Sequence, residues 1–283
     1  MQYLTILSAL ISACLFQQTA AQGNFILWPP SEHDNSINKR GIENLTIYSL
    51  LFNTPKDAPI YRFESTLIIP PASLSPPEGR VAAIWPGLQN KDLLQNVLTN
   101  QRMSGSRPTE WNFLPFFCCH PAGNFSHEVE VHPGDALSTQ YIWDVAHDKY
   151  VDSWSVVTGN MGAKAGKSGF TGGKVYDQKI ATSDKDSVKA EPYHMASLSV
   201  EVQGMGAWDW GSFTWRNVIV MAKTKETEWC TNMDIPKDFK HNMSTPVVTT
   251  DGEMTTCYVA TVVFVEPTDS RFGKKPDNKS KAK

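Results

Sequence analysis

Trp208-Asp-Trp-Gly-Ser-Phe-Thr-Trp-Arg-Asn217 is the stretch whose reading decides the fold. Trp208 and Trp210 flank Asp209, and Phe213 and Trp215 flank Thr214, so large aromatics alternate with polar residues. A period of two sends successive side chains to opposite faces of a strand, so one sheet face here is aromatic. Working outward, short runs of β type fill the chain. They cover residues 45–52, 60–69, 80–85, 93–101, 111–118, 127–131, 136–144, 150–157, 175–181, 193–203, 212–222 and 258–266. Turn clusters separate them: Pro70-Pro71, Ser75-Pro76-Pro77, His132-Pro133-Gly134-Asp135 and the glycine-rich residues 159–173. A dozen short strands at this spacing argue for an all-β sandwich or jelly roll. Residues 91–100 alone can be read as helix or strand.

At 283 residues the chain suits a single sandwich domain, placed at 22–270, with a polar lead-in over 23–40. The net charge is −3, with 19% charged residues and no basic block, which excludes a nucleic-acid or polybasic membrane partner. Aromatics make up 11% of the chain, too many for a wholly disordered one. Residues 271–283 are Lys-rich without large apolar side chains and are expected to be a disordered tail.

Residues 1–21, MQYLTILSALISACLFQQTAA, hold an apolar run over 4–16 and end on Thr19-Ala20-Ala21. Although a charged n-region is lacking, this reads as a secretory signal cut near Ala21 or Gln22. The run is shorter than the roughly 20 residues a spanning helix needs, and no later segment reaches that length. No integral membrane segment is therefore expected. Four sequons, at Asn44, Asn124, Asn242 and Asn278, support a glycosylated product of the secretory pathway. With Cys14 removed in the signal, Cys118, Cys119, Cys230 and Cys257 remain, an even number in an oxidising compartment. A Cys230–Cys257 bridge would close a loop of about 27 residues and contribute about 3–4 kcal/mol. The neighbours Cys118 and Cys119 either form a vicinal bridge or stay separate. With His120 they have the wrong spacing for a zinc finger, and no metal is expected.

Enzyme motifs are scarce. Residues 161–168, Met-Gly-Ala-Lys-Ala-Gly-Lys-Ser, end like a phosphate loop but carry Met161 where the first glycine belongs, so they read as a glycine-rich hairpin loop. No GxSxG, HExxH or Cys-x-x-Cys occurs. Glu128 and Glu130 share a strand face without an answering acidic strand, which reads as solvated edge charge rather than a glycosidase pair. The aromatics are the informative feature. Trp85, Trp111, Phe113, Trp143, Trp154, Trp208, Trp210 and Trp215 lie in or beside the expected strands. They make either the sandwich core or a concave apolar face with a few amide anchors, a small-molecule pocket.

Trp85-Pro-Gly-Leu88, Leu94-Gln95, the Trp111 strand, Pro133-Gly-Asp135 and Asp209–Asn217 follow in an order that resembles the fungal glutamic peptidases (eqolisins). That resemblance spans roughly residues 80–222 and implies a secreted, concanavalin-like jelly roll. Activity in that family needs a Gln and a Glu facing each other. Gln95 matches the Gln, while Glu191, Glu201 and, in a third alignment, Ser197 compete for the place of the Glu. The signal, the sequons, Ala82-Ala-Ile-Trp-Pro-Gly-Leu-Gln-Asn90 and Trp111-Asn-Phe-Leu-Pro-Phe-Phe117 give the whole chain a closer look to another group. It resembles the fungal hetero-Diels–Alderases of tropolone–sesquiterpenoid pathways.

The second resemblance implies that a tropolone o-quinone methide, formed by loss of water from a hydroxymethyl tropolone, is joined to a humulene-type alkene. No cofactor is implied, and the partners are small hydrophobic molecules. Cycloaddition needs neither nucleophile nor metal, only two reactants held in a near-attack pose, worth up to roughly 7–11 kcal/mol in ideal cases. On this reading Trp85, Trp111, Phe113 and Trp208 are walls, and Gln89 and Gln95 are hydrogen-bond donors. His120, Glu191 or His194 would be the general acid for dehydration. A non-catalytic carbohydrate-binding jelly roll and an acid glutamic peptidase are the rival readings.

Overall fold

The computed structural model describes residues 46–72, 80–90, 93–100, 111–118, 123–124, 128–176, 192–204, 207–237 and 239–267. The expected signal (1–21) and tail (271–283) lie outside the described residues. What is described folds into two antiparallel sheets packed face to face, a β-sandwich of jelly-roll type.

The first sheet runs in the order β1 (Thr46–Asn53), β11 (Met195–Gly204), β3 (Arg80–Gln89), β4 (Leu93–Thr99), β5 (Trp111–Cys118) and β6 (Gly123–Asn124). A short β7 (Val129–Val131) also pairs with β5. The second sheet runs β10 (Phe170–Tyr176), β9 (Lys149–Val157), β8 (Ala136–Asp144), β2 (Ile60–Ile68), β12 (Phe213–Ala222), β15 (Met254–Phe264) and β13 (His241–Met243). Here β14 (Val247–Asp251) pairs with β15. Two short helices interrupt the strands, α1 (Asn160–Lys164) and α2 (Glu228–Thr231).

The strands of the second sheet alternate as half-buried strands should: β8 and β9 each bury every second residue. Leu137, Tyr141, Tyr150, Trp154, Phe63 and Val220 point inward, against Leu50, Ile84, Leu94, Leu98 and Phe113 of the first sheet. By contrast, β4 is buried at all seven positions. A strand buried on both faces has no alternation to read, which is why 91–100 was ambiguous in the sequence.

Four differences from the elements expected in the sequence have local causes. The 80–85 run continues through Pro86 and Gly87 to Gln89. Proline is tolerated there because the β3–β4 ladder has no pair at Trp85 or Pro86. The strand expected at 175–181 instead spans Phe170–Tyr176 and includes Gly172-Gly173. Gly172 is not a turn residue: a Cβ there would meet Trp154 Nε1 at 2.5 Å, so glycine is where the indole lies against the edge strand. The glycine-rich residues 161–168 do connect the antiparallel β9 and β10, but they carry the helical turn α1. Finally, β14 and the start of β15 are hinged at Asp251-Gly252, where Gly252 has φ 59°.

Most of the tryptophans are core. Trp111 and Trp210 meet edge to face, with ring centroids 5.4 Å apart and planes at 87°. Such a pair is worth about 0.5–1.5 kcal/mol beyond its buried area. Trp208 stacks on Trp210 and touches Phe213 and Phe239, and Trp215 packs against Phe264. One aromatic cluster thus plugs the space between the sheets. Cys230 of α2 and Cys257 of β15 are joined by a disulfide, Cα–Cα 5.6 Å, both cysteines buried. Cys118 ends β5; its side chain and Cys119 lie outside the described residues.

Candidate functional site

The register places two sets of residues on the first sheet. Ala82, Ile84 and Leu88 of β3, Leu94 and Leu98 of β4 and Leu198 and Val200 of β11 face the second sheet. Their neighbours point the other way, and this outer face is buried from β11 to β5, while on β1 Ser49 and Leu51 are half-buried and Ile47 is exposed. Its first row crosses the sheet as Leu51, Ser197, Gly87, Gln95 and Phe116, each paired with the next. A parallel row runs Ile47, Glu201, Ala83, Thr99 and Asn112. Between the two rows lie Ser49, Ser199 and Trp85.

Gln95, Glu201 and Gln203 are 3–5% exposed and Trp85 is 3% exposed, although none of them touches the second sheet's core. Val97, Leu114 and Phe116 supply apolar surface on the same side. The result is an apolar, aromatic face interrupted by the amides of Gln95, Gln203 and Asn112, the hydroxyls of Ser49, Ser197, Ser199 and Thr99 and the Glu201 carboxyl, the composition of a small-molecule site. Ser49 Oγ and Ser199 Oγ are 2.7 Å apart and share a hydrogen bond, which ties the outermost strand to the face.

The carboxyl of Glu201 is held from both sides. Trp85 Nε1 donates to Oε2 at 3.1 Å, and Gln203 Nε2 donates to Oε1. Burial raises its pKa above the usual carboxylate range, and the two donors only partly oppose that. A carboxyl in this state retains its proton more readily than a solvated one and suits general-acid work. In the sequence Glu201 stands out only through the glutamic-peptidase resemblance. The signal for its present place is the alternation Val200-Glu201-Val202-Gln203, which puts both polar side chains on the face opposite the valines.

The expected site residues divide between the two faces. Gln95 and Trp85 share the outer face, and Gln89 lies on it at the end of β3, paired with Met195 and Leu93. Trp111, Phe113 and Trp208, expected as walls, are packed in the inter-sheet core instead, on the far side of the sheet from Gln95. The reason is parity: Phe113 pairs with Leu98 and Trp111 with Val131, both core-facing, whereas the outer positions of β5 are Asn112, Leu114 and Phe116. His194 immediately precedes β11 and is half-buried, its carbonyl accepting hydrogen bonds from Thr54 N and Oγ1. His120 and Glu191 lie outside the described residues.

Row order also bears on the glutamic-peptidase pairing. Ser197, with Gly87 between, is the β11 residue opposite Gln95. Glu201 lies four residues further along the strand, about 13 Å along and about 10 Å across the sheet. The Pro133-Gly-Asp135 motif is a structural turn: Gly134 has φ 85°, and the Asp135 carboxylate accepts from His132 N and Gly159 N. Among the sequons, Asn242 is exposed on β13, Asn124 ends β6 with its side chain outside the described residues, and Asn44 and Asn278 lie outside them. Among the described residues there is no group of three or more His, Cys, Asp or Glu side chains able to hold a metal ion. No helix among them is long and apolar enough to cross a membrane.

No family model matches the chain, and no curated protein matches it in sequence. Among solved structures it is similar to a crystal structure of Scytalido-glutamic peptidase with a peptide based transition state analog. Identity is 10%, the match covers 78% of this chain and 100% of that one, and the TM-score is 0.46. A likeness of that size says nothing of what this chain acts on.

Proposed function

We propose that the chain is a secretory-pathway hetero-Diels–Alderase that couples a tropolone o-quinone methide to a humulene-type sesquiterpene. The observation that carries this reading is the buried outer face of the first sheet, where Phe116 lies beside Gln95 and Trp85 beside a Glu201 carboxyl whose pKa burial raises. The sequence resemblance to that enzyme group, centred on residues 82–90 and 111–117, supports the substrate class.

The chemistry asks little of the protein beyond this. Glu201 gives its proton to the hydroxymethyl group, the C–O bond breaks and water leaves. The ring hydroxyl then returns a proton to the carboxylate, so the acid is regenerated and the o-quinone methide is neutral. Its CH₂ carbon and carbonyl oxygen next form one C–C and one C–O bond to the alkene, with no atom lost. The apolar surface holds the hydrocarbon in reach, and Gln95, about 16 Å from Glu201 between backbones, anchors the end of the bound pair remote from the dehydrating group.

Every tryptophan among the described residues is buried, which disfavours the carbohydrate-binding reading, since that needs indoles free to stack on sugars. The test has two arms. Purified protein given a hydroxymethyl tropolone and humulene should yield an adduct that equals the sum of the two minus water. Gln95→Ala should lower its turnover about 10²-fold with an unchanged melting temperature. In the producing organism, deletion of the gene should abolish a terpenoid adduct and accumulate its halves. An unchanged metabolite profile, or cleavage of denatured protein at acid pH that Gln95→Ala abolishes, would overturn the proposal, the latter in favour of a peptidase.

A further inference from the structure

The inter-sheet core holds an acid that the outer face does not use. Asp152, at the centre of β9, is fully buried among aromatic residues. Its Oδ1 accepts a hydrogen bond from Asn96 Nδ2 of β4 at 2.8 Å. The remaining oxygens of these two planar groups, Asp152 Oδ2 and Asn96 Oδ1, are both buried with no hydrogen-bond partner among the described residues. Two acceptors left unpaired beside an existing bond are an unstable arrangement in a dry core, because each has lost its water and gained nothing. One hydrogen relieves both. A protonated carboxyl places O–H on Oδ2, which donates to Asn96 Oδ1 while Asn96 Nδ2 donates to Oδ1, a closed ring of two bonds.

The surroundings favour the neutral form. From β8, Tyr141 faces the pair, its hydroxyl donating to Pro86 O at 3.1 Å. Tyr193, just before β11, lies near Tyr141, and Tyr150 on β9 donates to Ile60 O at 2.7 Å. Burial pushes Tyr141 well above the usual phenol range, so it stays a neutral phenol and brings no charge to the pair. From β4 the neighbours on the same face are Leu94 and Leu98. None of the ion pairs among the described residues involves Asp152.

We propose that Asp152 is held as a neutral carboxylic acid in a reciprocal pair with the Asn96 amide, and that this shared proton clamps the two sheets together, making the sandwich tighter in acid than in alkali. Burial raises the Asp152 carboxyl to about 8, which agrees with that geometry. The folded value stands above the unfolded one of about 3.9. Stabilisation is therefore complete below about pH 4 and is lost as pH rises to about 8, at about tenfold in the folding equilibrium constant per pH unit. Since Asn96 follows Gln95 in β4, the same clamp anchors the strand that carries Gln95.

Asp152→Asn tests it, because an amide keeps the shape and both bonds of the ring without a titrating proton. Urea unfolding of the full chain at about pH 5 and about pH 7 should show the wild-type folding constant falling about 100-fold relative to the variant. An equal pH dependence, or a ratio that rises, overturns the proposal. If the variant fails to fold, wild-type protein labelled with ¹³C at aspartate carboxyls answers alone. One buried aspartate should keep its protonated carboxyl signal at about pH 7, and a spectrum with every aspartate ionised there overturns the assignment.

Discussion

Gly87→Ala is the most searching perturbation of the outer face, because Gly87 is the floor between Ser197 and Gln95. A Cβ built on Gly87 stands 3.0 Å from Leu93 Cδ1, 3.1 Å from Leu94 O and 3.3 Å from Trp85 Cε3. Leu93 can yield by moving a flexible methyl. Leu94 O belongs to the neighbouring strand's backbone, and Trp85 is pinned by its bond to Glu201, so these two resist. Overpacking of this kind costs about 1–3 kcal/mol, while replacing a strand glycine by alanine returns about 0.5–1 kcal/mol of chain entropy. The net expectation is a loss of about 0.5–2 kcal/mol, read as a lower urea midpoint at constant m-value. Turnover in the adduct assay should fall further than stability does, since the new methyl sits where a substrate would lie against the Gln95 amide. A Gly87→Ala protein with an unchanged midpoint and full turnover would refute both the packing argument and the assignment of this face as the site.

Two other expectations follow from single contacts. Replacing Cys230 and Cys257 together by alanine opens a loop of sequence separation 27 and should cost about 3–4 kcal/mol, a drop of about 6–16 °C in the melting temperature; a drop under about 3 °C would mean the crosslink constrains little. Trp85→Phe removes a donor to the Glu201 carboxyl and should raise its pKa further, so the variant's stability deficit should grow as pH rises past the already raised pKa of the wild-type carboxyl. A deficit that is constant with pH, in urea melts, would show that the indole does not bond the carboxylate.

Legibility in the sequence followed the alternation of the strands. Residues 136–144 and 150–157 alternate cleanly because one of their faces meets solvent, and these strands stand within one residue of expectation. Where both faces are buried the pattern vanishes, as in Leu93–Thr99, and helix and strand read alike. Gly172 misled for a related reason: its lack of a side chain serves an indole on the next strand, a fact of packing and not of turn chemistry. The Asp251-Gly252 hairpin, by contrast, was present as a turn dipeptide beside β-branched residues and was available to be read.

Composition and period thus determined the class of this protein, an all-β sandwich with large aromatics in and beside its strands. They did so because alternation and turn chemistry are local properties of the chain. Which face each aromatic takes was decided only by the tertiary structure. Trp85 and Trp111 are alike as residues in strands, yet the register sends Trp85 to the Glu201 carboxyl and Trp111 against Trp210 in the core. The pairing of Glu201 with Gln203 and Trp85, and of Asp152 with Asn96 across the sheets, likewise joins residues far apart in the chain. Strand order and register set those distances, and neither is a property that any single stretch of sequence carries.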